Sequence, residues 1–165
     1  MRIPTLRTSA RVLVVDAAAR VLLFRGYGGG TRRTRPEWTA PGGRVGPREP
    51  LAVAAARELR EETGLAVAPE ELGRAVAVGV GAWRVDDEVL LGLDWHFYLG
   101  VRELQVDSSG WDVYEREMIT GFRWWSTAEI RRSDERIFPY GLAELIDHLV
   151  RGDVPPLPEV LRSPW

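Results

Sequence analysis

The sequence predicts an α/β sandwich whose sheet mixes parallel and antiparallel pairs. Three observations predict it: strand-like apolar stretches lie on both sides of one alanine-rich helical segment, a second amphipathic helical stretch lies near the end, and the length suits one core. Val12 to Val15 and then Val21, Leu22 and Phe24 read as two strands joined through Asp16 to Arg20, a hairpin pattern. Gly26 to Pro36 has loop composition and the densest positive charge, with Arg32, Arg33 and Arg35. Trp38 to Val45 must turn sharply at Pro41, Gly42 and Gly43, because proline withdraws a donor and glycine permits unusual dihedrals.

Pro50 suits the first turn of the helix that follows, alanines fill its interior, and Gly64 is placed to cap its C-terminus. Arg74 to Val85 and Val89 to Val101 suggest two more strands. In the second, Val89, Leu91, Leu93, Trp95, Phe97 and Leu99 form an apolar face, and Asp94, His96 and Tyr98 a partly polar one. A loop around Ser108 to Trp111 leads to a short strand at Phe122 to Trp125, a helical start at Thr127 to Arg131 and an amphipathic helix over Tyr140 to Val150. One domain over residues 1 to 152 is expected, followed by an irregular proline-rich tail over 153 to 165.

Composition narrows the function. The 165 residues are 45% hydrophobic and 28% charged, as in one globular domain. All 22 basic residues are arginine and the net charge is -2, so there is no broad basic surface and nucleic acid is not the expected main partner. The absence of cysteine excludes disulfides, thiolate metal sites and cysteine nucleophiles, and His96 and His148 alone exclude a histidine-rich metal site. The apolar stretch at residues 11 to 16 is far short of a membrane span of about 20 residues. No signal pattern is seen, so no membrane partner and a cytoplasmic location are expected.

At about 100° per residue, Glu58, Glu61 and Glu62 project within an arc of roughly 100° on the first helix. Glu58 and Glu62, at i and i+4, repel by roughly a few tenths of a kcal/mol, and the C-terminal end of the helix dipole disfavours anions further. A hard divalent cation reverses both effects, and oxygen-only ligands suit magnesium or manganese sharing positions with phosphate oxygens. Taken alone, the Arg57 to Glu62 run is more often a solvated acidic face.

The wider spacing changes that balance. Gly43, five residues, Glu49, seven residues, then Arg57-Glu58-Leu59-Arg60-Glu61-Glu62-Thr63-Gly64-Leu65 matches every fixed position of the Nudix box. Background frequencies give such a match on the order of once in a hundred million windows, which makes chance a poor explanation. The chain resembles the Nudix hydrolases, with Trp38 and Pro41-Gly42-Gly43 before the box and Phe122 to Trp125 after it extending the likeness.

That resemblance implies an α/β/α sandwich and magnesium- or manganese-dependent hydrolysis of a nucleoside diphosphate linked to another group. By position it implies Glu58 and Glu62 as principal metal ligands, Glu61 as a further ligand or water-activating base, and Gly43 as a carbonyl ligand. Arg57 and Glu49 then hold the acids and the loop in place. A downstream acid is also implied, Glu117 first and Glu115 as the alternative.

Arg25, Arg44 and Trp38 are the substrate-binding candidates, with Arg44 foremost for phosphate. Trp83, Trp95 and Tyr98 are further stacking candidates, although core packing is the expectation for Trp95 and a polar-face position that for His96. No proline near Gly81 and no tyrosine near Ala82 single out a substrate class, and the signature of coenzyme A hydrolysis is not evident. Isopentenyl diphosphate isomerisation shares the box but needs a cysteine. A non-catalytic nucleotide sensor is the alternative function, disfavoured because every box acid is present. A homodimer is a further expectation from family habit.

Overall fold

The computed structural model describes residues 5–27, 35–85 and 88–163, with the side chains of 83–85 set aside. Arg32 and Arg33, and the side chain of Trp83, lie outside what is described.

The first strand, β1 (Thr5–Val15), is the spine of the sheet. It pairs in parallel along its whole length with β6 (Glu88–Gly100), which pairs antiparallel with β5 (Ala77–Val85). β2 (Arg20–Tyr27) meets β1 only where Val15 faces Val21, then diverges to pair with β3 (Pro36–Thr39) and β7 (Ile119–Ser126). Short β4 (Gly42–Arg44) returns along the other part of β1, placing Gly42 opposite Arg11 and Gly43 opposite Ala10. The divergence of β1 from β2 opens the sheet over β4, and the cleft forms there.

Each face of the sheet carries a helical layer, as the alternation of β1 requires. Ala10, Val12 and Val14 pack with Ala54, Ala55 and Leu59 of helix α1 (Leu51–Thr63). Leu13 and Val15 pack on the opposite face with Leu142, Leu145, Ile146 and Leu149 of helix α4 (Leu142–Val150). Between them in sequence lie two short helices, α2 (Val113–Met118) and α3 (Thr127–Arg132). No helix among the described residues is long and apolar enough to cross a membrane.

Two expectations need correction. The tail is not wholly irregular, because Glu159–Arg162 form β8, parallel to β5 at the sheet edge and anchored by the Ser163 amide on the Val80 carbonyl. His96 is not on a solvated polar face but only 1% exposed, because α4 and its neighbours cover the side of β6 that the alternation marked as polar. On the other side, Val89 and Leu91 extend beyond the core and are exposed, while Trp95 packs against the α1 cluster as expected.

Candidate metal and phosphate site

The site starts from the end of α1. Pro50 occupies the N-cap position in an extended conformation, and Gly64 ends the helix at φ 79°, its amide donating to the Arg60 carbonyl at 2.9 Å. The helix lies against β4, which brings Glu58, Glu61 and Glu62 to a cleft of about 450 Å³. Gly43 sits against Glu58: a Cβ there would be 2.7 Å from the carboxyl carbon and both oxygens.

Glu62 turns inward. It is 7% exposed and accepts a 2.6 Å hydrogen bond from the Gly42 amide. Burial pushes its pKa up to about 8, opposed by that bond and by the Arg11 charge and reinforced by Glu58 and Glu115. Burial also raises Glu58, with Arg57 opposing and the charges of Glu61 and Glu115 adding.

Arg57 binds the loop and helix together. Its guanidinium donates to both carboxylate oxygens of Glu49 at 2.9 and 3.0 Å, to Glu58 at 2.7 Å and to the Arg44 carbonyl at 3.1 Å. Glu49 in turn accepts from the Gly46 amide at 2.7 Å. Through these contacts Arg57 and Glu49 tie the turn to the acids.

The downstream acid in the cluster is Glu115. One oxygen each from Glu58, Glu61 and Glu115 lie within 4.8 Å of one another. The loop bearing Glu115 is docked on the last turn of α1: the Trp111 indole donates to the Glu62 carbonyl at 2.8 Å and the Asp107 amide to the Thr63 carbonyl at 2.9 Å. Gly110 lies so close that a Cβ would be 2.8 Å from the Glu61 carbonyl.

Asp112 caps α2 by accepting from the Glu115 amide at 2.7 Å, and a Glu115 oxygen accepts from the Asp112 amide at 2.7 Å. Glu117, two residues on and so about 200° around the helix, is exposed and does not line the cleft. The preference between the two acids is therefore reversed. The signal was in the sequence: Asp-x-x-Glu at 112 to 115 is a capping box, which starts a helix and fixes where its acids point.

Arg25 and Arg44 line the cleft. Trp38 does not: it is 8% exposed, packs edge-on to Trp125 at 5.1 Å and donates from its indole to Glu135 at 3.3 Å, so the expected substrate contact is corrected to core packing. Trp95 and Tyr98 are partly buried and pack against the core. The aromatic rings at the cleft are instead Phe24, Tyr27 and Tyr114, which apolar periodicity did not distinguish from core or loop residues.

The Glu62 environment has a measurable consequence in the metal-free protein. Its folded pKa lies above the ordinary value of 4.5, so its stabilising contribution is complete below about pH 4.5 and is lost as pH rises through about 8. Thermal melts from pH 5 to 9 are expected to show a smaller decline in Glu62→Gln than in the parent. Identical slopes would refute this placement of the charge.

The comparisons agree with the geometry. Residues 5–146 match the family model described as NUDIX domain. Among solved structures, a NUDIX hydrolase from Nitrosomonas europaea is 22% identical, with TM-score 0.59 and 94% of each chain covered. The MutT protein of Methanosarcina mazei Go1 is 18% identical, with TM-score 0.58 over 93% of this chain and 99% of that one. A C. elegans Ap4A hydrolase, solved as a binary complex, is 17% identical, with TM-score 0.53 over 88% and 96%. These identities establish a shared fold. A comparison with curated proteins found no match. With the family model covering most of its length and the box acids gathered beside one cleft, the chain belongs to the Nudix hydrolase family.

Proposed function

We propose that this protein hydrolyses the diphosphate bond of a nucleoside diphosphate linked to a further group, with magnesium or manganese held by Glu58, Glu61 and Glu115. The observation that carries the reading is the convergence of these three carboxylates from two separate elements within 4.8 Å, on the lining of a cleft of about 450 Å³. The donor set fits a hard cation, since it is all oxygen and carries charges that repel one another without a counter-ion. Such an ion neutralises phosphate charge and makes a bound water more acidic.

The chain's own groups do the rest. Glu61, the most exposed of the three box acids, is assigned as acceptor of the water proton. Arg25 and Arg44 hold phosphate oxygens. Arg57 and Glu49 keep the turn and Glu58 aligned, and buried Glu62 anchors Gly42 from behind, with its carboxylate available at the cleft.

The test is turnover of a panel of nucleoside diphosphate derivatives, including Ap4A because a structural neighbour is named for it, with and without magnesium. Magnesium-dependent release of phosphate-containing products from at least one compound is expected. Tight nucleotide binding with no turnover would favour the sensor reading instead.

A further inference from the structure

The cleft is also lined by a second set of charged groups, Arg11, Glu37 and Asp94, from three different strands. Arg11 is partly committed: its Nη1 donates to the Ala40 carbonyl at 3.0 Å, while its Nε lies 3.6 Å from the Asp94 carboxylate and, among the described residues, makes no hydrogen bond. Glu37 is only 8% exposed, yet among the described residues its carboxylate accepts no hydrogen bond. Its charged neighbour Arg136 is 3.7 Å away, beyond hydrogen-bond reach. Asp94, opposite Ser9 on the neighbouring strand, likewise has an ion pair without a hydrogen bond.

Neither carboxylate is among the buried atoms left without a partner, so their oxygens open onto the cleft, where a ligand that brings donors can take the place of water. The Arg11 guanidinium, 3.6 Å from Asp94, already supplies positive charge beside the two acids, which disfavours a second cation there.

Resting on the reading of the cleft as a nucleotide site, we propose that Glu37 and Asp94 are specificity-determining residues that select a guanine base. An ionised carboxylate is acceptor-only. It is satisfied by two neighbouring N–H donors, and of the common bases guanine alone presents them side by side, at its ring imide and its exocyclic amine. Adenine and cytosine set a ring lone pair beside their amine, which faces a carboxylate unfavourably, and uracil offers one N–H between two carbonyls. The Arg11 guanidinium adjoining the two acids has the sign that matches the guanine carbonyl next to those donors. Tyr27, on the strand paired with β3, lines the same cleft and provides a ring face for the base.

Titration calorimetry with GMP, IMP, AMP and CMP in the presence of magnesium tests this, since a monophosphate has no diphosphate bond to hydrolyse. GMP is expected to bind about 10-fold or more tighter than IMP, which lacks only the exocyclic amine, and tighter than AMP and CMP. Glu37→Gln is expected to lower GMP affinity by about 10-fold with little change for AMP, and Asp94→Asn provides a second variant. Thermal melts of both confirm the fold.

Equal binding of GMP and IMP, a preference for AMP or CMP, no binding of any of the four, or an unchanged GMP preference in both variants would overturn the assignment. A GMP preference without turnover of any guanosine diphosphate compound would refute hydrolysis while leaving this selectivity standing. Turnover without a GMP preference would do the reverse.

Discussion

Replacing Glu61 with Gln is expected to lower kcat by about 10² to 10⁴-fold at saturating magnesium, the usual contribution of a positioned carboxylate base. The side chain stands at the mouth of the cleft with Arg57 3.6 Å away, so a neutral isostere leaves the packing intact and the circular dichroism spectrum should not change. The same assay separates the two downstream acids. Glu115→Gln removes both a member of the carboxylate cluster and one half of the α2 capping box, and is expected to reduce turnover at least about tenfold more than Glu117→Gln. Turnover of Glu61→Gln within twofold of the parent, or a larger loss in Glu117→Gln than in Glu115→Gln, would refute these roles.

The second large effect contrasts two adjacent glycines. Gly42 has φ 149°, and a Cβ there would meet the Ala10 carbonyl oxygen at 2.3 Å and the Arg11 Cα at 2.6 Å. Both obstacles are backbone, so Gly42→Ala must distort the turn and loosen the amide that holds Glu62. Strain and overpacking together cost on the order of 2–6 kcal/mol. Gly43→Ala meets only the end of the Glu58 side chain, which can swing aside. Its melting temperature should change little, but a displaced Glu58 is expected to reduce turnover by about 10 to 100-fold. Melts and kinetics on both variants would check the contrast, and the opposite pattern, a stable Gly42→Ala with an unfolded Gly43→Ala, would contradict the placement of the turn.

The ease with which these residues were read from sequence follows from the range of the forces that place them. Helix α1 and its acids were legible because helical periodicity and the Gly43 to Gly64 spacing are local properties, and the same holds for the cap at Gly64. The hairpin of β1 and β2 was legible for the same reason.

β8 was not, because four residues after a run of prolines are held only by parallel pairing with a strand about 80 residues earlier, and no local pattern encodes that. His96 was misplaced because alternation identifies the two faces of a strand but cannot tell that both are covered. Trp38 belongs to the same class of error: an aromatic residue before a glycine turn suits a ligand contact or a core, and its edge-on packing against distant Trp125 decides for the core. The capping box with Asp112 encodes the placement of Glu115 locally, whereas loop length alone does not fix which acid reaches the helix. The unfilled acceptors of Glu37 and Asp94 were invisible in sequence, as they arise where β1, β3 and β6 are brought to one cleft.

The proposed hydrolysis depends on three acids from α1 and α2 sharing one divalent ion. Titration of manganese into the protein, followed by electron paramagnetic resonance of the free ion, tests this most directly. The parent is expected to bind at least one ion, with affinity falling about 10 to 100-fold in Glu58→Gln and in Glu115→Gln and unchanged in Glu117→Gln. Manganese left free at every protein concentration, or bound equally well by all four proteins, would contradict it.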